Sequence, residues 1–136
     1  MIIADTSALL ALFNRTDDAH DSVVSFISAN NESLAVSPFV VTELDYLVAT
    51  RLGVTAELAT IRELASGAYD LPSLTPDDLR TCGDIIARYD DQAISVTDAS
   101  LVVLAKRFAT ESILTLDHRH FTVLRPLNGG RFVLLP

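Results

Sequence analysis

At 136 residues the chain is long enough for one domain and little more. Its composition, 49% hydrophobic and 21% charged with five Gly, five Pro and a single cysteine, Cys82, excludes the disordered, collagen-like and disulfide-framework classes. A net charge of −8 argues against a simple electrostatic nucleic-acid binder, unless carboxylates cluster where bound cations locally reverse the field.

Residues Ile2–Ala4 read as a short buried strand that ends at Asp5. Ser7–Phe13 reads as a short helix, and His20–Ala29 as a second with Val23, Val24, Phe26 and Ile27 apolar. Leu34–Val36 is a second buried strand. Ser37-Pro38 then supplies an N-cap and a proline at the first helical position, opening a helix that runs to about Leu52 and stops at Gly53. Thr55 is expected to cap a helix through about Ala65, and Ala68–Leu74 forms a weak strand. Thr75-Pro76 starts a helix to about Tyr89, and Ser95 or Thr97 caps another through Phe108. Ser112–Leu116 is a clear strand and Phe132–Leu135 a short last one. Short apolar strands alternating with helices predict an α/β fold. We expect a single domain over residues 1–136, with a mostly parallel sheet of about five strands flanked by helices. Ligands of such a fold bind outside the carboxyl ends of the strands, near the point where strand order reverses.

The question is whether carboxylates converge there. Asp5 and Asp117 each follow a strand, a position that turn chemistry alone also explains. Glu43 lies three residues from Val40 and four from Leu47, so it borders or joins the apolar stripe Val40, Leu44, Leu47, Val48, whereas Asp45 faces away. A carboxylate on that stripe needs an arginine or a metal as partner. Asp98 shares a helix face with Leu101, Val102 and Ala105; it also fits the third position of a capping box begun by Ser95. Asp90 and Asp91 read as turn residues. Four carboxylates at one rim require a counter-charge, and hard oxygen donors select Mg²⁺ or Mn²⁺ over zinc. In-line attack of water on a phosphodiester is the chemistry best matched to such a site.

Four segments resemble the acidic motifs of PIN domains. They are Asp5-Thr6-Ser7-Ala8-Leu9-Leu10, Thr42-Glu43-Leu44, Thr97-Asp98-Ala99-Ser100-Leu101 and Leu114-Thr115-Leu116-Asp117-His118-Arg119-His120-Phe121. Order and spacing match over essentially the whole chain, and a compact PIN domain of this size resembles the VapC toxins of bacterial toxin–antitoxin pairs. The resemblance implies a parallel sheet with the strands before Asp5 and Asp117 adjacent. It implies an endoribonuclease dependent on Mg²⁺, with Mn²⁺ able to substitute, that cuts tRNA or rRNA. It also implies a homodimer and a VapB-type antitoxin. In that frame Asp5 and Asp98 would bind the metal directly, and Asp117 would complete the pocket or hold a metal-bound water. Glu43 would act through water or as the base. Thr6, Ser7 and Thr115 offer hydroxyls for a phosphate oxygen or for supporting bonds. His118, Arg119 and His120 are possible RNA contacts; a zinc site there lacks further ligands. Arg15, Arg107, Arg125 and Arg131 are further candidates among which the sequence does not choose.

Two other readings stay open: a DNA or flap-type nuclease with the same chemistry, and a catalytically silent PIN-like binding module. A phospho-acceptor receiver domain does not fit, because Asp5 is followed by Thr6 and the one lysine, Lys106, lies in a helix. Surplus apolar positions at Tyr46, Val54 and Leu58 suggest the dimer face, and Leu10, Phe13, Val41, Leu44 and Leu47 a groove for the antitoxin. No apolar run nears the ~20 residues of a membrane span. The N-terminus lacks a signal peptide's basic start, and the unpaired cysteine gives no reason for an oxidising compartment, so a cytoplasmic location is expected.

Overall fold

Strand β1 (Ile2–Ala4) carries only fully buried apolar residues, and a strand apolar on both faces belongs in the middle of a covered parallel sheet. The computed structural model, which describes residues 1–136, places it there. Its neighbours are β2 (Leu34–Val36) on one side and β4 (Ser112–Leu114) on the other; β3 (Tyr69–Asp70) and β5 (Val133–Leu135) form the edges. All pairings are parallel, with Ile3 opposite both Ala35 and Ile113. The order β3-β2-β1-β4-β5 makes the carboxyl ends of β1 and β4 the switch point of the sheet.

Seven helices connect and cover the strands: α1 (Thr6–Phe13), α2 (His20–Ala29), α3 (Pro38–Leu52), α4 (Val54–Leu64), α5 (Pro76–Arg88), α6 (Val96–Arg107) and the single turn α7 (His118–Phe121). Three helix starts follow from caps. Ser37 caps α3 with Pro38 in its first turn, and Thr75 and Ser95 open α5 and α6 with complete capping boxes. In α6 every residue from Thr97 to Ala105 is buried, so this helix packs on all sides. The buried hydroxyls of Ser37 and Ser100 meet at 2.7 Å, fixing the start of α3 against α6.

Three expectations are corrected. Thr55 caps nothing: Gly53, at φ 89°, both ends α3 and opens α4, a conformation that costs glycine little. The weak strand at Ala68–Leu74 shrinks to Tyr69–Asp70, since Pro72 has no amide to pair. The strand expected to reach Leu116 stops at Leu114, because the Leu116 amide turns to donate to Ser7 Oγ at 2.9 Å. His118-Arg119-His120 forms a helical turn. Buried Phe121 anchors it and meets Phe132 edge to face at 6.4 Å.

Candidate active site

The helix-start and strand-end segments meet in a cleft of about 270 Å³ at the switch point, lined by Asp5, Thr6, Ser7, Leu10, Glu43, Leu47, Arg51, Asp98 and Asp117. All four sequence-predicted carboxylates therefore reach one place, carried by β1, α3, α6 and the turn before α7. Asp90 and Asp91 lie in an exposed turn and take no part.

Asp5 is 5% exposed. Its Oδ2 accepts from Ser7 Oγ at 2.6 Å and from Thr115 Oγ1 at 2.7 Å. Thr115, itself wholly buried, also accepts from the Asp117 amide at 2.9 Å, so one hydroxyl sets the positions of two carboxylates. Ser7 in turn accepts from the Leu116 amide, sewing the end of β1 to the end of β4. Burial pushes the Asp5 carboxyl above its ordinary value; the Ser7 and Thr115 hydroxyls and the Thr6 amide oppose this, and the nearby charge of Asp98 adds to it.

Asp98 fulfils both of its sequence readings. Its Oδ2 accepts from the Ser95 amide at 3.0 Å as part of the capping box, and the side chain still lines the cleft. Asp117 caps α7 through the His120 amide. Glu43 reaches the cleft from the border of its stripe. Val40, Leu44 and Val48 form the buried stripe of α3, whereas Glu43 is exposed and Asp45 is the half-buried one. No core burial demands a partner for Glu43; it stands on the solvent side of the stripe, at the cleft wall.

Two buried polar atoms next to these acids have no hydrogen-bond partner: Thr6 Oγ1 and His120 Nδ1. The His120 ring wedges between carboxylates, with Nδ1 at 3.1 Å from Asp117 and 3.5 Å from Asp98, close in distance but poorly aligned for a hydrogen bond. His118 and Arg119 are exposed and do not line the cleft. Sequence reasoning missed Arg51, which lies two turns beyond Glu43 on the same face of α3. The Glu43, Leu47, Arg51 spacing was its available signal.

No three of the His, Cys, Asp and Glu side chains form a ready-made metal cage. The donor set nonetheless suits a hard divalent cation. It consists of oxygen donors, one of them a buried carboxylate disfavoured as a bare charge, beside an unpartnered hydroxyl. Mg²⁺ in particular keeps several waters and needs one or two carboxylates, not an all-protein cage.

This arrangement of an acidic cleft at the switch point of a five-stranded parallel sheet agrees with the family comparison: residues 2–125 match the PIN domain model, and the chain belongs to that family. Among its relatives is ribonuclease VapC26 of Mycobacterium tuberculosis (strain ATCC 25618 / H37Rv). The two are 51% identical over 135 residues, covering 99% of this chain and 100% of the relative. The fold is shared with the crystal structure of Mycobacterium tuberculosis VapC20, a sarcin-ricin loop cleaving toxin, at a TM-score of 0.81 and 22% identity over 87% of this chain and 91% of that one. It is shared also with FitAcB from Neisseria gonorrhoeae, at a TM-score of 0.61 and 19% identity over 86% and 88% of the two chains.

Proposed function

We propose that this chain is a metal-dependent endoribonuclease, the toxin of a type II toxin–antitoxin pair, which cuts tRNA or rRNA by attack of water on a phosphodiester. The observation that carries the reading is the convergence of Asp5, Glu43, Asp98 and Asp117 on one cleft, in a chain half identical to a VapC ribonuclease. A bound Mg²⁺, or Mn²⁺ in its place, supplies a lowered water pKa and neutralises charge that develops on the phosphate. Asp5 and Asp98 would hold that cation, and Asp117 would complete the pocket. Glu43, exposed on the cleft wall, orients the attacking water and takes its proton. Thr6 and Ser7, at the start of α1, present a hydroxyl and backbone amides to a phosphate oxygen. The test is cleavage of total RNA, with 5′ ends mapped. Cutting should require Mg²⁺ or Mn²⁺, stop with a chelator and be absent in Asp98→Asn. Undiminished cutting after metal removal overturns the reading.

A cytoplasmic location goes with this reading, because the RNA substrates lie there. A VapB-type antitoxin would bury the half-exposed Phe13, Val41 and Leu47 and insert a guanidinium among the carboxylates, competing with the cation. Leu44, expected in that groove, is wholly buried and belongs to the core instead. Inhibition should therefore weaken as Mg²⁺ is raised, and an inhibition constant independent of Mg²⁺ excludes the inserted arginine.

The dimer face proposed is on α3 and α4, where Tyr46 is 67%, Val54 65% and Leu58 48% exposed. Sedimentation at micromolar concentration is expected to give a dimer and Leu58→Asp a monomer. A 14.7 kDa species for the unmodified chain overturns the dimer.

A further inference from the structure

Arg51 is the one lysine or arginine in the wall of the acidic cleft. It is exposed on the last turn of α3 and forms neither an ion pair nor a side-chain hydrogen bond, although four carboxylates line the same cleft. The other arginines named from the sequence lie elsewhere. Arg107 is held by Asp78 and the Ser73 carbonyl, and Arg125 by the Thr122 carbonyl. An arginine that served to neutralise the acids would close onto one of them. A cation left open beside a metal-binding cleft weakens metal binding, so its contribution must come from a different anion. RNA brings that anion. A chain of net charge −8 repels the RNA backbone, and the approach to the acids passes a planar guanidinium with free donors.

We propose that Arg51 is the residue that grips a backbone phosphate of the RNA at the mouth of the cleft. It shares the Glu43 face of α3, eight residues further on, so the same helix positions both the phosphate clasp and the water-orienting carboxylate. The inference rests on the proposal that this cleft acts on RNA. It assigns Arg51 to substrate binding and not to the chemical step.

The test separates the two claims. Binding is measured by fluorescence anisotropy with a short, labelled, mixed-sequence single-stranded RNA, in an Asp5→Asn background that does not cleave. Arg51→Ala should weaken binding roughly three- to tenfold and flatten the slope of log Kd against log salt by about 0.7, the loss of one phosphate contact on a single strand. Arg51→Lys should restore the slope but not the whole affinity, since a point charge replaces a fork. In the cleaving protein Arg51→Ala should raise KM with kcat within about twofold, and the Mn²⁺ concentration for half-maximal rate should not rise. A kcat loss at unchanged KM, or an unchanged salt slope and affinity, overturns the assignment. Failure of the wild type to cleave any RNA overturns the proposed activity instead, while the binding series still decides the role of Arg51.

Discussion

Asp5→Asn is expected to abolish RNA cleavage, by more than about a hundredfold, and at the same time to raise the melting temperature of the metal-free protein. Both effects come from one carboxylate. Both hydroxyl bonds of Asp5 end on Oδ2, and an asparagine amide oxygen can accept them unchanged. What the substitution removes is a charge that burial and Asp98 disfavour. The sign follows from linkage. With its folded-state value above the ordinary 3.8, Asp5 leaves the native state holding more protons than the unfolded chain between those two values. Stability of the metal-free protein thus falls as pH rises through that window, and the deficit persists at neutral pH. Asp5→Asn should flatten this part of the pH profile. Thermal melts across acid and neutral pH, with and without Mg²⁺, check it. A lower melting temperature for the metal-free variant at neutral pH contradicts the argument.

The second large effect is expected at Thr115. Thr115→Val keeps the shape but deletes the hydroxyl that donates to Asp5 and accepts from the Asp117 amide. One buried acceptor loses a donor, and one amide is left unsatisfied, costing about 1–3 kcal/mol of stability. The cleavage rate should fall about 10- to 100-fold, because two of the four acids lose their common support. Thr115→Ser retains the hydroxyl and should recover most of the rate. Urea denaturation and single-turnover cleavage measure the two losses. A Thr115→Val enzyme of wild-type rate, or a Thr115→Ser enzyme as slow as valine, would show that this hydroxyl does not position the acids.

The parts of this architecture written in local chemistry could be read from the chain. Ser37-Pro38, Thr75-Pro76 and Ser95 through Asp98 state their helix starts in caps, and the apolar runs Ile2–Ala4 and Leu34–Val36 state their strands. The convergence of four acids was legible because each stood at an element end or on a helix face. Of the two positions open to Glu43, it takes the border: the stripe is Val40, Leu44, Val48, and Glu43 stands beside it in solvent. Period-3.6 spacing leaves a border residue ambiguous by one helical position, and only packing against α1 and α6 decides it. The Ser7–Thr115 seam and the His120 wedge were beyond any local rule, because they join residues about a hundred positions apart or depend on the unforeseen turn α7.

The sheet order has a consequence for how the molecule comes into being on a ribosome. Asp5 follows β1, yet one of the two hydroxyls that steady it, that of Thr115, lies 110 positions later. β4, which Thr115 follows directly, is held on its outer side by β5, and the Thr115 amide donates to the Leu135 carbonyl at 2.9 Å. A growing chain therefore carries Asp5 without that partner until Thr115 has been made. The cleft is complete only when β4 has paired with β1, so its geometry hangs on a contact of long sequence separation and on no single contiguous segment.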